Sequence, residues 1–160
     1  MTKGKFDPLK LDIIEFKIVN GNINAPYEFD NNLIDNYETS MAFGSSFNVE
    51  KKIVKAKMGF EIETKSTSNQ KEATVIFDFV YLFKVDNLDE LFTDDTNPED
   101  LKRMLTAIAA ISFSTSRGVL IARLQGTVMK EYILPIIDPG RLLDEWINEK
   151  KEEEKKDNMK

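Results

Sequence analysis

The chain has 160 residues, a net charge of −6 at pH 7, and neither cysteine nor histidine. These absences exclude disulfides, Cys-His and Ser-His-Asp catalysis, and zinc sites built from cysteine or histidine. The length is that of one domain, and the acidic balance argues against nucleic acid, which requires a basic stripe on the protein. We find neither a signal-peptide core nor an apolar run of membrane-spanning length, so we expect a cytoplasmic protein with no membrane insertion.

The N-terminal part of the chain predicts one strand followed by a long polar connection. Residues 9–19 have apolar side chains on both faces and predict the strand. The sequence Asn20-Gly21-Asn22 then predicts a turn. Residues 22–45 predict a loop, which is long for a structureless connection and is therefore expected to be functional or partly extended. Its apolar anchors are Tyr27, Phe29, Leu33, Ile34 and Phe43.

A β-hairpin is the clearest element of the sequence. Residues 47–65 predict its first strand, the segment 66–70 its turn, and residues 71–85 its second strand. One face of the first strand is apolar and contains Val54, Ala56, Met58, Phe60 and Ile62. The second strand is apolar on both faces, with Val75, Phe77, Phe79, Tyr81 and Phe83 on one face and Ile76, Val80 and Leu82, interrupted by Asp78, on the other. A strand with two apolar faces must be covered on both of them. We therefore expect helices to cover one face and a second subunit to cover the other.

A long helix is predicted after an acidic segment at residues 86–100. Asn97 suits the N-cap and Pro98 the first helical position, and acidic residues in the first turn complement the helix dipole. One face has apolar residues at helical spacing, namely Leu101, Met104, Leu105, Ile108 and Ile111.

A second, shorter helix is predicted near the C-terminus. Gly126 marks a turn after the first helix, and Pro139 opens the second, which contains the only tryptophan, Trp146. The end of the chain is nearly all lysine and glutamate. We therefore expect a single domain over residues 1–148 and a charged, flexible tail over residues 149–160.

An apolar segment of unusual character precedes the second helix. Pro135 forbids a regular helix there and cannot donate a hydrogen bond within a central strand. Two interpretations stay equally open: the segment forms a groove or subunit contact, or it fills the core. The aromatic stripe on the second hairpin strand is likewise either plain core or a groove wall.

No catalytic or metal-binding motif competes with these interpretations. The nearest carboxylate pairs, Glu61 with Glu63 and Asp94 with Asp95, are typical of solubility charge. The glycines are scattered and form no phosphate-binding loop. We therefore predict that the protein is not an enzyme and needs no metal or cofactor.

Several short motifs follow one another in the chain. They are Asn22-Ile23-Asn24-Ala25-Pro26, Ile111-Ser112-Phe113 with Arg117, Gln125-Gly126-Thr127, and Leu134-Pro135-Ile136-Ile137-Asp138. In this order and spacing, together with the hairpin of residues 53–85, they resemble the SecB family of export chaperones. The similarity covers about residues 9–148.

The resemblance implies an α+β fold: a four-stranded antiparallel sheet with a long helix and a shorter C-terminal helix packed on one face. It also implies a homotetramer built as a dimer of dimers, and we expect a homo-oligomer, either a dimer or a tetramer. Members of the family are ATP-independent holdases that bind unfolded or precursor polypeptides in hydrophobic grooves. By position, the implied polypeptide-binding residues are Phe77, Phe79, Tyr81, Phe83, Tyr132, Ile133, Leu134, Ile136, Ile137 and Trp146.

The sequence departs from the family where the family docks the translocase motor SecA. Asn20 and Asn24 stand where that surface is acidic, which leaves Asp78, beside Ile76, as the implied docking site. A SecB-like branch that protects antitoxins in toxin–antitoxin systems is therefore an alternative. A small-ligand or lipid-binding α+β protein is an alternative from another functional class.

Overall fold

The computed structural model describes residues 4–159, and its architecture is one four-stranded antiparallel sheet with two helices. The elements are β1 (Leu11–Asn24), β2 (Ile34–Asn48), β3 (Ile53–Ser66), β4 (Thr74–Val85), α1 (Pro98–Arg123) and α2 (Pro139–Asp157). The strands lie in the order β1-β4-β3-β2 and all neighbours are antiparallel. The predicted fold class is confirmed.

One face of the sheet forms the core because the apolar side chains of β3 and β4 alternate toward it. The predicted apolar face of β3 and the aromatic stripe of β4 are both buried there, under α1. The ring of Phe113 on α1 lies 6.4 Å from that of Phe60. The hydroxyl of Tyr81 forms a 2.7 Å hydrogen bond with that of Ser116, so the only polar atom of this buried ring is satisfied.

Strand β1 is longer than predicted. It begins at Leu11 and continues through the predicted turn at residues 20–22 to Asn24, so that turn is wrong. The pairing of β1 with β4 shifts at two bulges, one between Ile13 and Glu15 and one between Ile18 and Asn20. Gly21 remains paired, opposite Phe77. A Cβ atom at Gly21 would lie 2.9 Å from the Phe77 ring. The glycine is therefore needed for close packing against an aromatic ring, and not for a turn.

Strand β2 occupies much of the segment that was predicted as a loop. Residues 34–45 belong to this strand and pair with β3 along its whole length. The predicted strand over residues 47–65 in fact contains the turn between β2 and β3, where Lys52 has a φ of 57°. The prediction failed because only one face of β2 carries large side chains, at Tyr37, Met41, Phe43 and Phe47.

Both helices begin where the sequence predicts. Asn97 accepts a hydrogen bond from the Glu99 amide at 3.0 Å, and Asp138 accepts one from the Gly140 amide at 2.9 Å. Helix α2 ends at Asp157, well beyond residue 148, so the division into domain and tail remains a prediction.

Helix α1 is long and apolar enough to cross a membrane by length and composition, contrary to the expectation that no apolar run reaches that length. Eight of its residues are buried, including Met104, Ile108 and Leu120. Since they pack against the sheet, α1 is the core helix of this domain and does not point to a membrane protein.

Candidate functional site

A groove runs beside edge strand β2, between that strand, the segment 132–137 and the first turns of α2. Its volume is about 450 Å³. Its lining residues are Thr39, Met41, Ile136, Ile137, Asp138, Arg141, Leu142 and Glu145. We call this concavity the β2 groove.

The segment 132–137 forms one wall of the β2 groove, and the side chains of residues 132–134 point alternately inward and outward. Tyr132 and Leu134 are buried, whereas Ile133 is 58% exposed and Ile136 is 82% exposed. The structure places the segment in neither a helix nor a strand, as predicted. Tyr132 and Leu134 thus fill the core and the exposed residues form an apolar surface, whose use as a groove or subunit contact stays a prediction.

Two hydrogen bonds hold this wall in place. The guanidinium Nε of Arg117 on α1 donates to the carbonyl of Leu134 at 2.9 Å. The hydroxyls of Tyr132 and Thr39 lie 2.7 Å apart and tie the start of the segment to β2. Since Leu134 lies in neither a helix nor a strand, its carbonyl has no regular backbone partner, and the arginine supplies the donor.

The phenol hydroxyls of Tyr132 and of the neighbouring Tyr37 are neutral at physiological pH. Burial raises the pKa of Tyr132, and the hydrogen bond with Thr39 lowers it only in part. Burial and the nearby charge of Glu131 raise the pKa of Tyr37, whose ring packs edge-on against Tyr132 at 5.1 Å. This end of the groove wall is therefore an uncharged aromatic cluster.

Helix α2 forms the other wall of the groove and gives it a charged mouth. Leu142 is buried at the base, and Arg141 pairs with Glu145 at 3.1 Å on the exposed side. Trp146 packs edge-on against Phe43 at 5.8 Å and marks the end of the groove. The site is thus an apolar strip bordered by opposite charges.

The structure separates the predicted site residues into three groups. Ile133, Ile136, Ile137 and Trp146 lie at or beside the β2 groove, whereas Tyr132 and Leu134 support its wall from within. Phe77, Phe79, Tyr81 and Phe83 lie in the core, each exposed by 4% or less. Ile76 and Asp78 lie on the opposite face of the sheet, where Asp78 accepts a hydrogen bond from Asn20 at 3.2 Å. The binding and docking roles of all three groups stay predictions.

The sequence analysis missed the groove residues contributed by β2 and α2. Thr39 and Met41 fell within the predicted loop, and Arg141, Leu142 and Glu145 carried no recognised signal. Large apolar side chains recur on one face of β2 at positions 37, 41, 43 and 47, but Thr39 and Ser45 interrupt the alternation and leave only a weak strand signal. Among residues 4–159 no group of three or more acidic side chains is placed to hold a metal ion.

Comparison with solved structures shows a shared fold. The chain is similar to the SecB-like chaperone Rv1957 of Mycobacterium tuberculosis, solved in complex with a ChAD peptide from the HigA1 antitoxin Rv1956, with a TM-score of 0.57. The match covers 81% of this chain and 91% of that chain at 14% identity, which establishes the fold alone. A protein of unknown function from Streptococcus agalactiae matches with a TM-score of 0.33 at 8% identity. The match covers 79% of this chain and 97% of that one, and a TM-score this low supports no conclusion about this chain. No protein-family model and no curated protein sequence matches the chain.

Proposed function

We propose that this protein is a SecB-like, ATP-independent chaperone of the cytoplasm that holds unfolded or precursor polypeptides in the β2 groove. The observation that carries the proposal is the exposed Ile136, which lines the groove together with Ile137 beside an edge strand. The shared fold supports it, because the similar protein was solved with a peptide bound.

Binding in such a groove rests on apolar burial. A client side chain that covers Ile136 and Met41 removes apolar area from water, at about 25 cal/mol per Å². The unbranched thioether of Met41 adapts to side chains of different shape, as a groove with many clients requires. An extended client backbone beside β2 adds strand-like hydrogen bonds, which do not depend on client sequence.

The test is suppression of aggregation. A chemically unfolded test protein is diluted with and without this chain, and light scattering follows aggregation. We expect suppression at a near-stoichiometric ratio. The Ile136→Asp variant should lose most of this activity, because a carboxylate in the groove opposes apolar burial.

The matched control is Leu9→Asp. Leu9 is an exposed apolar residue of the same size as Ile136, and it lies before β1 and away from the groove. It should suppress aggregation as the unmodified protein does. Equal loss in both variants, or no suppression by the unmodified protein, rejects the general holdase.

An antitoxin is the alternative client, and the peptide in the similar structure favours it. In that case the protein protects one dedicated partner and general suppression is weak. Protection of a cognate antitoxin from proteolysis separates this role from protein export. Export further requires SecA to dock at Ile76 and Asp78, so Asp78→Asn should weaken binding of purified SecA in that case alone.

We further propose that the protein is a dimer or tetramer. Edge strand β1 has exposed apolar side chains at Ile13, Ile14 and Val19, and a bare apolar edge invites pairing with another copy. Along α1, one row at a four-residue spacing consists of small residues, namely Thr106, Ala110, Ser114, Gly118 and Ala122, of which the last three are exposed. Mass measured by light scattering tests the proposal, and a monomer at micromolar concentration would reject it.

A further inference from the structure

We propose that the open face of the sheet, opposite the helices, has a second binding surface that accepts an acidic polypeptide segment with an apolar side chain. The surface is a trough of about 570 Å³ over the middle of β2, β3 and β4. It lies across the sheet from the β2 groove and does not depend on the function proposed for that groove. We call it the open-face trough.

The floor of the trough exists because the register brings small residues together. Ala42 on β2 is opposite Gly59 on β3, and Gly44 is opposite Lys57. Gly59 in turn is opposite Asp78 on β4, and a Cβ atom on this glycine would lie 3.1 Å from the Asp78 carboxylate. A sheet face with side chains of ordinary size at these positions would have no depression here.

The trough has apolar sides. Val80 on β4 lies beside the floor, and Val19 reaches it from β1. Val19 is the residue left over by the bulge between Ile18 and Asn20, and it is 62% exposed. The bulge therefore adds an exposed apolar side chain from β1 to the apolar open-face residues of β4.

Two lysines border the trough, and they differ from the other lysines of this face. Lys17 pairs with Glu15 on β1, and Lys84 pairs with Asp86 at the end of β4. Lys55 and Lys57, on β3, form no ion pair within the part of the chain that the structure describes. Successive open-face positions of a strand are about 7 Å apart, so the two ammonium groups form one positive rim.

The charges also give the trough a direction. Asp78 lies at the end away from Lys55 and repels a carboxylate there. A bound segment thus has its acidic residues at the lysines and its apolar side chain over the glycine floor. The chain itself already places acidic residues near these lysines. Glu149 and Glu153 of α2 line a neighbouring concavity together with Lys55 and Lys57.

The experiment uses a fluorescein-labelled peptide of alternating leucine and glutamate, with a leucine–lysine peptide as its opposite. Fluorescence anisotropy with the full chain is measured at about 0.05 M and about 0.5 M salt, where screening differs strongly. We expect the glutamate peptide to bind more tightly than the lysine peptide, and to weaken at the higher salt concentration.

Two variants locate the site. Lys55→Glu with Lys57→Glu should lower affinity for the glutamate peptide at least about tenfold, because attraction at the rim becomes repulsion. Ala42→Leu leaves every charge in place, fills the floor and should lower affinity as well. The control is Lys71→Glu with Lys130→Glu, which makes the same change in net charge at exposed sites outside the trough and should leave affinity within about twofold.

Several results overturn the proposal. An equal loss in the control double variant would mean that net charge alone attracts the peptide. Loss with Ile136→Asp, and not with Ala42→Leu, would place the peptide in the β2 groove. A fall in the mass of the protein with Lys55→Glu and Lys57→Glu would make this face an interface between copies. Urea unfolding of each variant shows that the fold is retained, and Lys55→Gln with Lys57→Gln repeats the test without introducing new charge.

Discussion

Strands β1 and β2 both lie at an edge of the sheet, but only β2 is flanked by another part of the same chain. Along β2, helix α2 and the segment 132–137 enclose a groove, and the Thr39–Tyr132 hydrogen bond closes it at one end. Strand β1 pairs with β4 on one side and leaves Ile13, Ile14 and Val19 exposed.

This difference shows two ways in which one sheet handles its edges. A flanked edge can present apolar surface in a shaped groove, whose walls limit what pairs with the strand. A bare edge with apolar residues has its two bulges and the charges of Glu15 and Lys17 to disturb pairing, and is otherwise open to a second copy. The client binding that we propose therefore belongs to the β2 edge, and the self-association that we propose belongs to the β1 edge.

The largest effect should come from removing the buried support of the β2 groove. Leu134→Ala takes a fully buried side chain from beneath the groove wall and should lower the free energy of unfolding by about 3 kcal/mol. Urea denaturation measures the change. Ile133→Ala, at the exposed neighbouring position, is the control and should cost about 0.5 kcal/mol or less. Equal costs at the two positions would contradict the inward and outward alternation of this wall.

A smaller effect should follow from loss of the arginine that holds the wall. Arg117→Ala leaves the Leu134 carbonyl without its charged donor and should lower the free energy of unfolding by about 2 kcal/mol. Hydrogen exchange should also become faster at the amides of residues 132–137, relative to those of β3. Arg123→Ala, at the exposed end of the same helix, serves as the control. Unchanged exchange would show that the wall does not depend on this bond.

The tyrosine at the closed end of the groove should show a pH-dependent effect. Tyr132→Phe removes the hydrogen bond to Thr39 and should cost about 1 kcal/mol at neutral pH. Burial raises the pKa of Tyr132 above its unfolded value, so the folded state keeps a proton that the unfolded state loses. This contribution is complete below about pH 10 and is lost as the pH rises through the folded pKa.

Urea denaturation at neutral pH and at about pH 10.5 measures the difference. The unmodified protein should lose more stability between the two pH values than Tyr132→Phe does. Tyr27→Phe is the control, since Tyr27 is fully exposed and should change neither the stability nor its pH dependence. The same loss in all three proteins would rule out a contribution from Tyr132.

The smallest change in stability, with a clear change in mass, is expected at the bare edge. Ile14→Lys replaces a half-exposed residue at a bulge and should change the free energy of unfolding by about 0.5 kcal/mol or less. The same charge should oppose pairing of β1 with a second copy and lower the mass measured by light scattering. Ile136→Lys at the β2 groove is the control and should leave the mass unchanged. A lower mass with Ile136→Lys, and an unchanged mass with Ile14→Lys, would place self-association at the β2 edge and contradict the proposal.

The elements that local signals specify were predictable from the sequence. The β3–β4 hairpin has regular alternation, and both helices have an Asx N-cap followed by proline. Strand β2 was not predictable in this way. Its open-face positions are Ser40, Ala42, Gly44 and Ser46, small residues that gain little from burial and lower the apparent strand tendency. It is ordered by pairing with β3, which is a long-range interaction.

The candidate site was predictable only in part for a related reason. A core strand and a groove wall both require large apolar residues at every second position, so spacing alone does not distinguish them. Where α1 packs determines the outcome, since it covers Phe79 and Tyr81 and leaves Ile136 uncovered. Proline at 135 was the one local signal that identified the groove wall as irregular.

The position of Trp146 has a practical consequence for spectroscopy. It is the only tryptophan in the chain, and its indole lies at the end of the β2 groove, against Phe43 and near Gly44. Its intrinsic emission therefore reports on this one place in the molecule. With a client that lacks tryptophan, occupation of the groove should dehydrate the half-buried indole and shift its emission to shorter wavelength, so binding can be followed without a label.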